Sequence, residues 1–337
     1  MSNDFPCSTV FIGRICRETI INLEKQIIID QPGGNLLYAA YGYRIWREYG
    51  GLVSKINSDF PTNWIDHINH NGFNIKGISR TEKPIEDRRF FYIDPDIIDI
   101  DNPQKYFTQL GKPFPKNLLG YASEPMHLDS RITGTPFTVK PEDIPEDYLN
   151  AQFVAIGPLD YITHSLIPAY FRSHSEAKIF FHPSRSYLNR AFFSYFAPLI
   201  QGATCLFASQ VELLELFVGK SEDIWEIMEW TADFGVNYVV ASRKKEGYLL
   251  YDAENKMGYQ IPAYPSKTVD PVGVDDACFG GIVAGYSKCF DPLEAVLMGS
   301  ITASLKIEGS TAGYLLNALP DLAGARLSMI RDGVKPR

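Results

Sequence analysis

The stretch from Thr268 to Tyr286, TVDPVGVDDACFGGIVAGY, constrains this chain more than any other. It turns through Pro271 and Gly273 and places Asp275 and Asp276 where a helix should begin. Proline presets the turn, and carboxylates near a helix start suit both its free amides and the positive end of its dipole. From Ala277 to Tyr286 no residue is charged, so the helix is expected to be buried on every face. Gly280, Gly281, Ala284 and Gly285 let neighbouring backbone approach closely. A buried helix that follows a glycine turn is a ready phosphate site, and Asp276 in its first turn is placed to take a proton. The bland alternative is a turn that only caps a core helix.

The rest of the chain supplies a scaffold for such a helix. Short β-branched or apolar runs alternate with helical stretches: Ser8–Gly13, Leu52 onward, Phe153–Gly157, Ala177–Phe181, Ala203–Phe207 and Tyr238–Ser242 read as strands. A helix is expected from about Thr163 and another over Pro292–Glu308. This alternation predicts an α/β chain with a parallel sheet covered by helices and ligands at the carboxyl ends of its strands. Thr19–Asp30 reads as a short hairpin, Trp64–Asn71 as a helix, and Phe73–Ile78 and Arg88–Asp94 as strands. Asp96–Pro145 is Pro-dotted and aromatic, too apolar for disorder and too long for a usual connection, so it reads as a packed insertion.

Several function classes are excluded early. A net charge of -8 argues against a nucleic-acid partner, and no run of eighteen apolar residues exists to span a membrane. Met1–Pro6 lacks the basic start of a signal peptide, and the 5 cysteines form no C-x-x-C. Reduced thiols in a cytoplasmic protein are expected. His67 and His70 stand at i, i+3 on a helix without a third ligand nearby, and are read as surface histidines. His127, His164, His174 and His182 form no constellation in the sequence.

The Thr268–Tyr286 stretch resembles the C-terminal signature of the PfkB (ribokinase-like) carbohydrate kinases, D-T-T-G-A-G-D-A-F-x-G-G. Asp270, Gly273, Asp276, Ala277, Gly280 and Gly281 fall in register. The resemblance implies a ribokinase-like three-layer α/β/α fold with a mostly parallel central sheet and a small β lid. It also implies one domain over residues 1–337, with lid elements near 15–32 and 80–100 and the insertion near 96–145. By the same resemblance Asp276 is the base, and the amides of Gly273, Val274 and Asp275 form an anion hole for the transferred phosphate; the helix dipole is expected to keep Asp276 ionised at neutral pH. Asp275 replaces a glycine of the signature. A carboxylate ~4 Å from a phosphate costs on the order of 4 kcal/mol at a surface-like dielectric, so it is expected to turn away or meet a cation, Lys244 or Lys245 first.

The segment from Gln31 to Trp46 resembles the family's N-terminal signature, a Gly-Gly turn running into an Ala-rich helix. Gly33, Gly34 and Asn35 are thereby implied to touch the acceptor. Tyr38 replaces a frequent Asn and implies an altered pocket that stacks a ring. Glu18 stands where the family carries a substrate-gripping Asp, and is read either in that role or as a solvated Glu at a strand end. Ser209 and Glu212 fall where the family has N-x-x-E, which implies a Mg²⁺ partner at Glu212; alone, it is an ordinary helix-start Glu. Ser242, Lys244 and Gly247 fall in the T-x-G-x-x-G loop implied to meet the nucleotide, with a solvated charge run as the alternative. Gly309–Gly313 is implied to lie near the adenine.

The resemblance therefore implies transfer of a phosphoryl group from ATP, with Mg²⁺, to a hydroxyl of a sugar or sugar-like molecule. A homodimer through the lid is an assembly it allows. The departures at Glu18, Tyr38, Ser209, Lys244 and Asp275 keep two alternatives open: a non-catalytic binding or regulatory member, and a nucleoside kinase.

Overall fold

The computed structural model describes residues 5–94, 97–99, 102–123 and 129–337. His127 and parts of the 96–145 segment lie outside them. The strands, in chain order, are β1 (Thr9–Ile12), β2 (Cys16–Ile21), β3 (Ile27–Gly33), β4 (Gly50–Ile56), β5 (Phe73–Arg80), β6 (Arg88–Ile93) and β7 (Ile97–Asp99). After the insertion come β8 (Phe153–Ile156), β9 (Lys178–Phe181), β10 (Cys205–Ser209), β11 (Tyr238–Ser242), β12 (Tyr248–Asp252), β13 (Met257–Ile261) and β14 (Lys335–Pro336).

Ten strands form one sheet in the order β14-β13-β12-β11-β10-β9-β8-β1-β4-β5. From β11 across to β5 every pair is parallel. The mostly parallel sheet expected from the βα alternation is therefore present. Strand β12 pairs antiparallel with β11, and β13 with β12, because short turns join them and so short a link closes only a hairpin; β14 adds antiparallel to β13 from the far end of the chain. Strand β1 lies between β4 and β8, so the chain winds outward from it in both directions.

Alternation along the strands divides the core into two layers. Phe11, Leu52, Ala155, Phe180, Phe207 and Val240 face the helices Asn35–Arg44, Val274–Cys289 and Pro292–Lys306. Their neighbours Val10, Ile12, Val154, Leu206 and Val239 face the opposite layer, which holds Tyr161–His174, Phe193–Ile200 and Ile224–Asp233. The Val274–Cys289 helix is buried from Ala277 to Ser287, as its lack of charge requires.

Four further strands form a small sheet, β3-β2-β6-β7. Its Ile21 and Phe90 share a separate small core with Phe107 and Leu118 of the 96–145 segment. Val139 and Ile144 of the same segment pack instead on the main body. Glycine lets β3 turn into the first helix: Gly34 has φ +95, and a Cβ there would stand 2.4 Å from the Arg14 carbonyl oxygen.

Candidate active site

The carboxyl ends of β1, β8, β9, β10 and β11 lie along one edge of the large sheet, and the first turn of the Val274–Cys289 helix reaches the same edge. Ser209 and Ser242 stand side by side there, in register across β10 and β11. Gly273 is left-handed at φ 71 and caps the helix without a side-chain hydrogen bond. A Cβ on Gly273 would lie 2.2 Å from the Tyr38 ring, so glycine is needed for space as well as for conformation. Val274 donates back to the Pro271 carbonyl at 3.3 Å and Ala277 to the Gly273 carbonyl at 2.9 Å. These bonds fix the turn while no side chain caps the amides of its first residues, the usual setting for an anion.

Asp276 is about 20% exposed, and its Oδ1 lies 3.5 Å from Nδ1 of His182. Its pKa is pushed up to about 8 by burial, and further by the charges of Asp275, Glu18 and Glu212. The expectation of a carboxylate ionised at neutral pH is therefore corrected. Burial and three neighbouring carboxyl groups outweigh the helix dipole, whose effect is typically below 1 kcal/mol. Asp275 rises to about 6, chiefly by burial, while a hydrogen bond from Ser242 and the charge of Lys244 oppose the rise. Its Oδ1 accepts from the Ser242 hydroxyl at 2.9 Å. The carboxylate, expected to turn away or meet a cation, is held by the Ser242 hydroxyl, and the charge of Lys244 acts on it.

The residues of the N-terminal signature are brought together, but not as an open pocket. Glu18 is 2% exposed and Tyr38 1% exposed. Glu18 Oε1 accepts from the Gly34 amide at 2.8 Å, and Oε2 accepts from the Tyr38 hydroxyl at 2.7 Å. The solvated-Glu reading is excluded, and the gripping reading meets a carboxylate whose two oxygens already have donors. Burial raises the pKa of Glu18 against these two bonds. A Cβ on Gly33 would lie 2.1 Å from this carboxylate, which explains that glycine locally. Tyr38 packs its ring on Gly273 and leaves no face open for stacking a ligand ring, contrary to expectation. Asn35 uses its amide on backbone, accepting from the Arg14 amide at 2.9 Å and donating to the Pro158 carbonyl at 2.7 Å.

On the other side, Ser209 and Glu212 form a capping box at the start of the Gln210–Leu216 helix. Glu212 Oε2 accepts from the Ser209 amide at 2.9 Å and from its hydroxyl at 2.7 Å. Lys244 adopts φ 54, the conformation that glycine would take in the resembling loop. Gly247 has φ +92 and would place a Cβ 2.1 Å from the Ile261 carbonyl oxygen. His67 and His70 are exposed, and among the described residues no three His, Cys, Asp or Glu side chains gather to hold a metal ion.

Two residues near the site were not anticipated. His182 follows β9 at the same sheet edge; a polar residue at the carboxyl end of a parallel strand is the signal that points to it. Lys306 ends a helix, its side chain 0% exposed. It donates to the Asp270 carbonyl at 3.1 Å and the Gly309 carbonyl at 2.9 Å, and lies 3.8 Å from Asp270 Oδ2. Its ammonium also stands 5.4 Å over the Tyr38 ring. A lone cation in an otherwise apolar helix was the signal here, because a buried charge needs a partner.

Residues 164–318 match the profile of the pfkB family carbohydrate kinases. A cytidine kinase from Thermococcus kodakarensis is 24% identical over 293 residues, covering 86% of this chain and 92% of that protein. The nucleoside kinase of Methanocaldococcus jannaschii superposes with a TM-score of 0.68 at 17% identity, over 97% of this chain and 100% of its own. A structure described as ribokinase II from E. coli, in complex with ATP and Mg²⁺, superposes at TM-score 0.69 and 16% identity, over 96% of this chain and 100% of that one. By sequence, residues 164–318 match the pfkB family carbohydrate kinases, and the whole chain has the ribokinase-like α/β/α fold of these structures.

Proposed function

We propose that the protein transfers the terminal phosphoryl group of ATP to a hydroxyl of a sugar or nucleoside, with Asp276 as the base. The observation that carries this reading is Asp276 itself, in the first turn of a buried helix whose N-terminal amides no side chain caps. The carboxylate removes the acceptor proton while the amides of Gly273, Asp275 and Asp276, and that of Val274 on leaving its 3.3 Å bond to the Pro271 carbonyl, receive charge that develops on the phosphoryl oxygens. Such catalysis is mostly positioning plus charge stabilisation.

Magnesium would arrive with the nucleotide and keep most of its waters, with Glu212 the protein side chain toward it. Asp275, Asp276 and Glu212 raise local negative charge, yet no three such side chains converge on one point among the described residues. Glu212 would meet the hydrated ion, and when bound the ion neutralises phosphate charge. Ser209, Ser242, Lys244 and Gly247 would line the nucleotide side.

A nucleoside is the favoured acceptor, because a relative that spans most of this chain is described as a cytidine kinase. We assign the protein to the cytosol on its free cysteines. Among the described residues no helix is long and apolar enough to cross a membrane. A homodimer through the lid fits the exposed Ile29 on its edge strand β3, and light scattering of the purified chain tests it. The deciding experiment is ADP release with ATP and Mg²⁺ across nucleosides, sugars and small alcohols. Turnover with a nucleoside or sugar is expected. Nucleotide binding with no turnover on any of these acceptors would replace the kinase reading by a regulatory one.

A further inference from the structure

We propose that His182 is the positioning residue of the base, its Nδ1 accepting the hydrogen bond of the Asp276 carboxyl once that group has taken the acceptor's proton. The inference deepens the kinase reading and rests on it for the origin of the proton. Its foundation is geometric. His182 is 7% exposed, with its ring set between Phe207 and Phe279 at centroid distances of 4.9 and 5.4 Å. Its backbone amide donates to the Ile156 carbonyl at 2.9 Å, so β8 and β9 fix where the ring stands. Within this apolar box Nδ1 is buried and has no hydrogen-bond partner among the described residues. The near polar atom is Asp276 Oδ1 at 3.5 Å, a gap that a small side-chain rotation closes. A buried polar nitrogen is costly to leave unmatched, so its direction toward the carboxyl group calls for a reason.

An ion pair is not that reason. Burial lowers the pKa of His182 to about 3, with neighbouring His164 adding to the effect, while Asp276 is raised to about 8. The ring is neutral wherever Asp276 titrates, and a proton shared between the two belongs to the carboxyl group. The charged or titratable groups that act on the pair are Asp275, Glu18 and Glu212 toward Asp276, and His164 toward His182. Lys244 acts on Asp275.

The chemistry then balances. The acceptor O–H bond breaks and its proton passes to a carboxylate oxygen of Asp276. The acceptor oxygen forms the new bond to phosphorus as the bond to ADP breaks. The Nδ1 lone pair accepts a hydrogen bond from the new carboxylic acid, which keeps the other carboxyl oxygen oriented toward the acceptor. Before transfer, the ionised carboxylate instead calls for the Nδ1–H tautomer as a donor. One imidazole serves both forms by exchanging tautomers and gains no net charge.

The test combines nuclear magnetic resonance of the whole protein with kinetics. Ring-¹⁵N-labelled histidine is introduced, and His182→Phe identifies the His182 signals by their loss. In the wild type, His182 is expected to be neutral with Nδ1 as acceptor below about pH 8, and to shift toward Nδ1–H above it. In Asp276→Asn that shift should vanish. A His182 signal that ignores the Asp276 titration, or one that responds equally in Asp276→Asn, overturns the proposal. With an accepted substrate, His182→Phe should lower kcat roughly tenfold with nucleotide KM unchanged. His182→Asn should restore most of that loss, because an amide oxygen can stand in for Nδ1. Equal kcat in both variants and wild type, or equal loss in both, also overturns it. If no acceptor turns over at all, the kinase reading fails, while the resonance experiment still decides whether the two side chains share a proton.

Discussion

The Tyr38 hydroxyl donates to Glu18 Oε2 at 2.7 Å, and these two residues are both departures from the resembling family pattern. Each is intelligible through the other. Glu is longer than Asp by one methylene, and its carboxylate reaches a phenol that an Asn at position 38 would not supply. The Tyr38 ring in turn rests on Gly273, so strand β2, the first helix and the Pro271–Gly273 turn share one contact. Glu18→Gln and Tyr38→Phe should each destabilise the fold by about 1–3 kcal/mol, the cost of leaving a buried group unmatched. In a double-mutant cycle by urea unfolding, a coupling of roughly 0.5–3 kcal/mol is expected. Strict additivity would show that the bond contributes nothing specific.

Lys306 presents a second buried dependence. Its ammonium and the Asp270 carboxylate are both 0% exposed, and burial lowers the lysine pKa against the pull of Asp270 and Glu18. Lys306→Met removes the cation and leaves Asp270 as an uncompensated buried charge. A loss of about 3–5 kcal/mol is expected, and Lys306→Met with Asp270→Asn should recover part of it. Chemical denaturation of the three variants measures this. A double variant no better than Lys306→Met would mean that the carboxylate is not the source of the penalty.

How much of this was legible in the sequence depends on the distance over which a signal acts. The parallel sheet was legible because apolar runs and turn residues are local. So was the helix from Val274, where glycines, carboxylates and missing charge agree within one stretch. Asp275 was recognisable as an anomaly, but its partner Ser242 lies on another strand, and charge alone pointed to lysine. Glu18 and Tyr38 were noticed separately; their hydrogen bond needs the fold to bring β2 onto the first helix. The Asp276 titration was misjudged because a dipole is visible in one helix, whereas Glu18 and Glu212 arrive from remote segments. Burial of those carboxyl groups is likewise a property of the assembled layers.

Lys244 separates backbone cost from function. At φ 54 it holds a conformation that suits glycine, so Lys244→Gly should leave stability unchanged or raise it by up to ~1 kcal/mol. The same change removes a charge that opposes the rise in the Asp275 pKa. Nucleotide affinity should therefore weaken, by roughly tenfold for a loss of about 1.4 kcal/mol. Thermal melting and nucleotide titration on one preparation test both halves. Unaltered affinity would remove Lys244 from the nucleotide side and leave it a solvated loop residue.

Asp276 makes the sharpest prediction because its pKa affects stability and rate with opposite signs. The unfolded carboxyl group titrates near 3.9, whereas the folded one is raised to about 8. Between those values the folded state binds more protons than the unfolded state. Stability from this group is complete below about pH 4 and is lost as pH rises through about 8. Asp276→Asn removes that slope, so the variant should gain on the order of 5 kcal/mol relative to wild type at pH 8 and almost nothing at pH 4. Catalysis runs the other way, since only the ionised carboxylate accepts a proton. Wild-type kcat/KM should climb with pH toward a plateau above about 8, while Asp276→Asn should show no such limb. Its turnover should fall by ~10²–10⁴, the usual worth of a general base, with nucleotide binding retained through the backbone amides. Melting curves and pH–rate profiles of the two proteins decide the matter. A variant that is no more stable at pH 8, and that turns over at the wild-type rate, would remove Asp276 from the role of base.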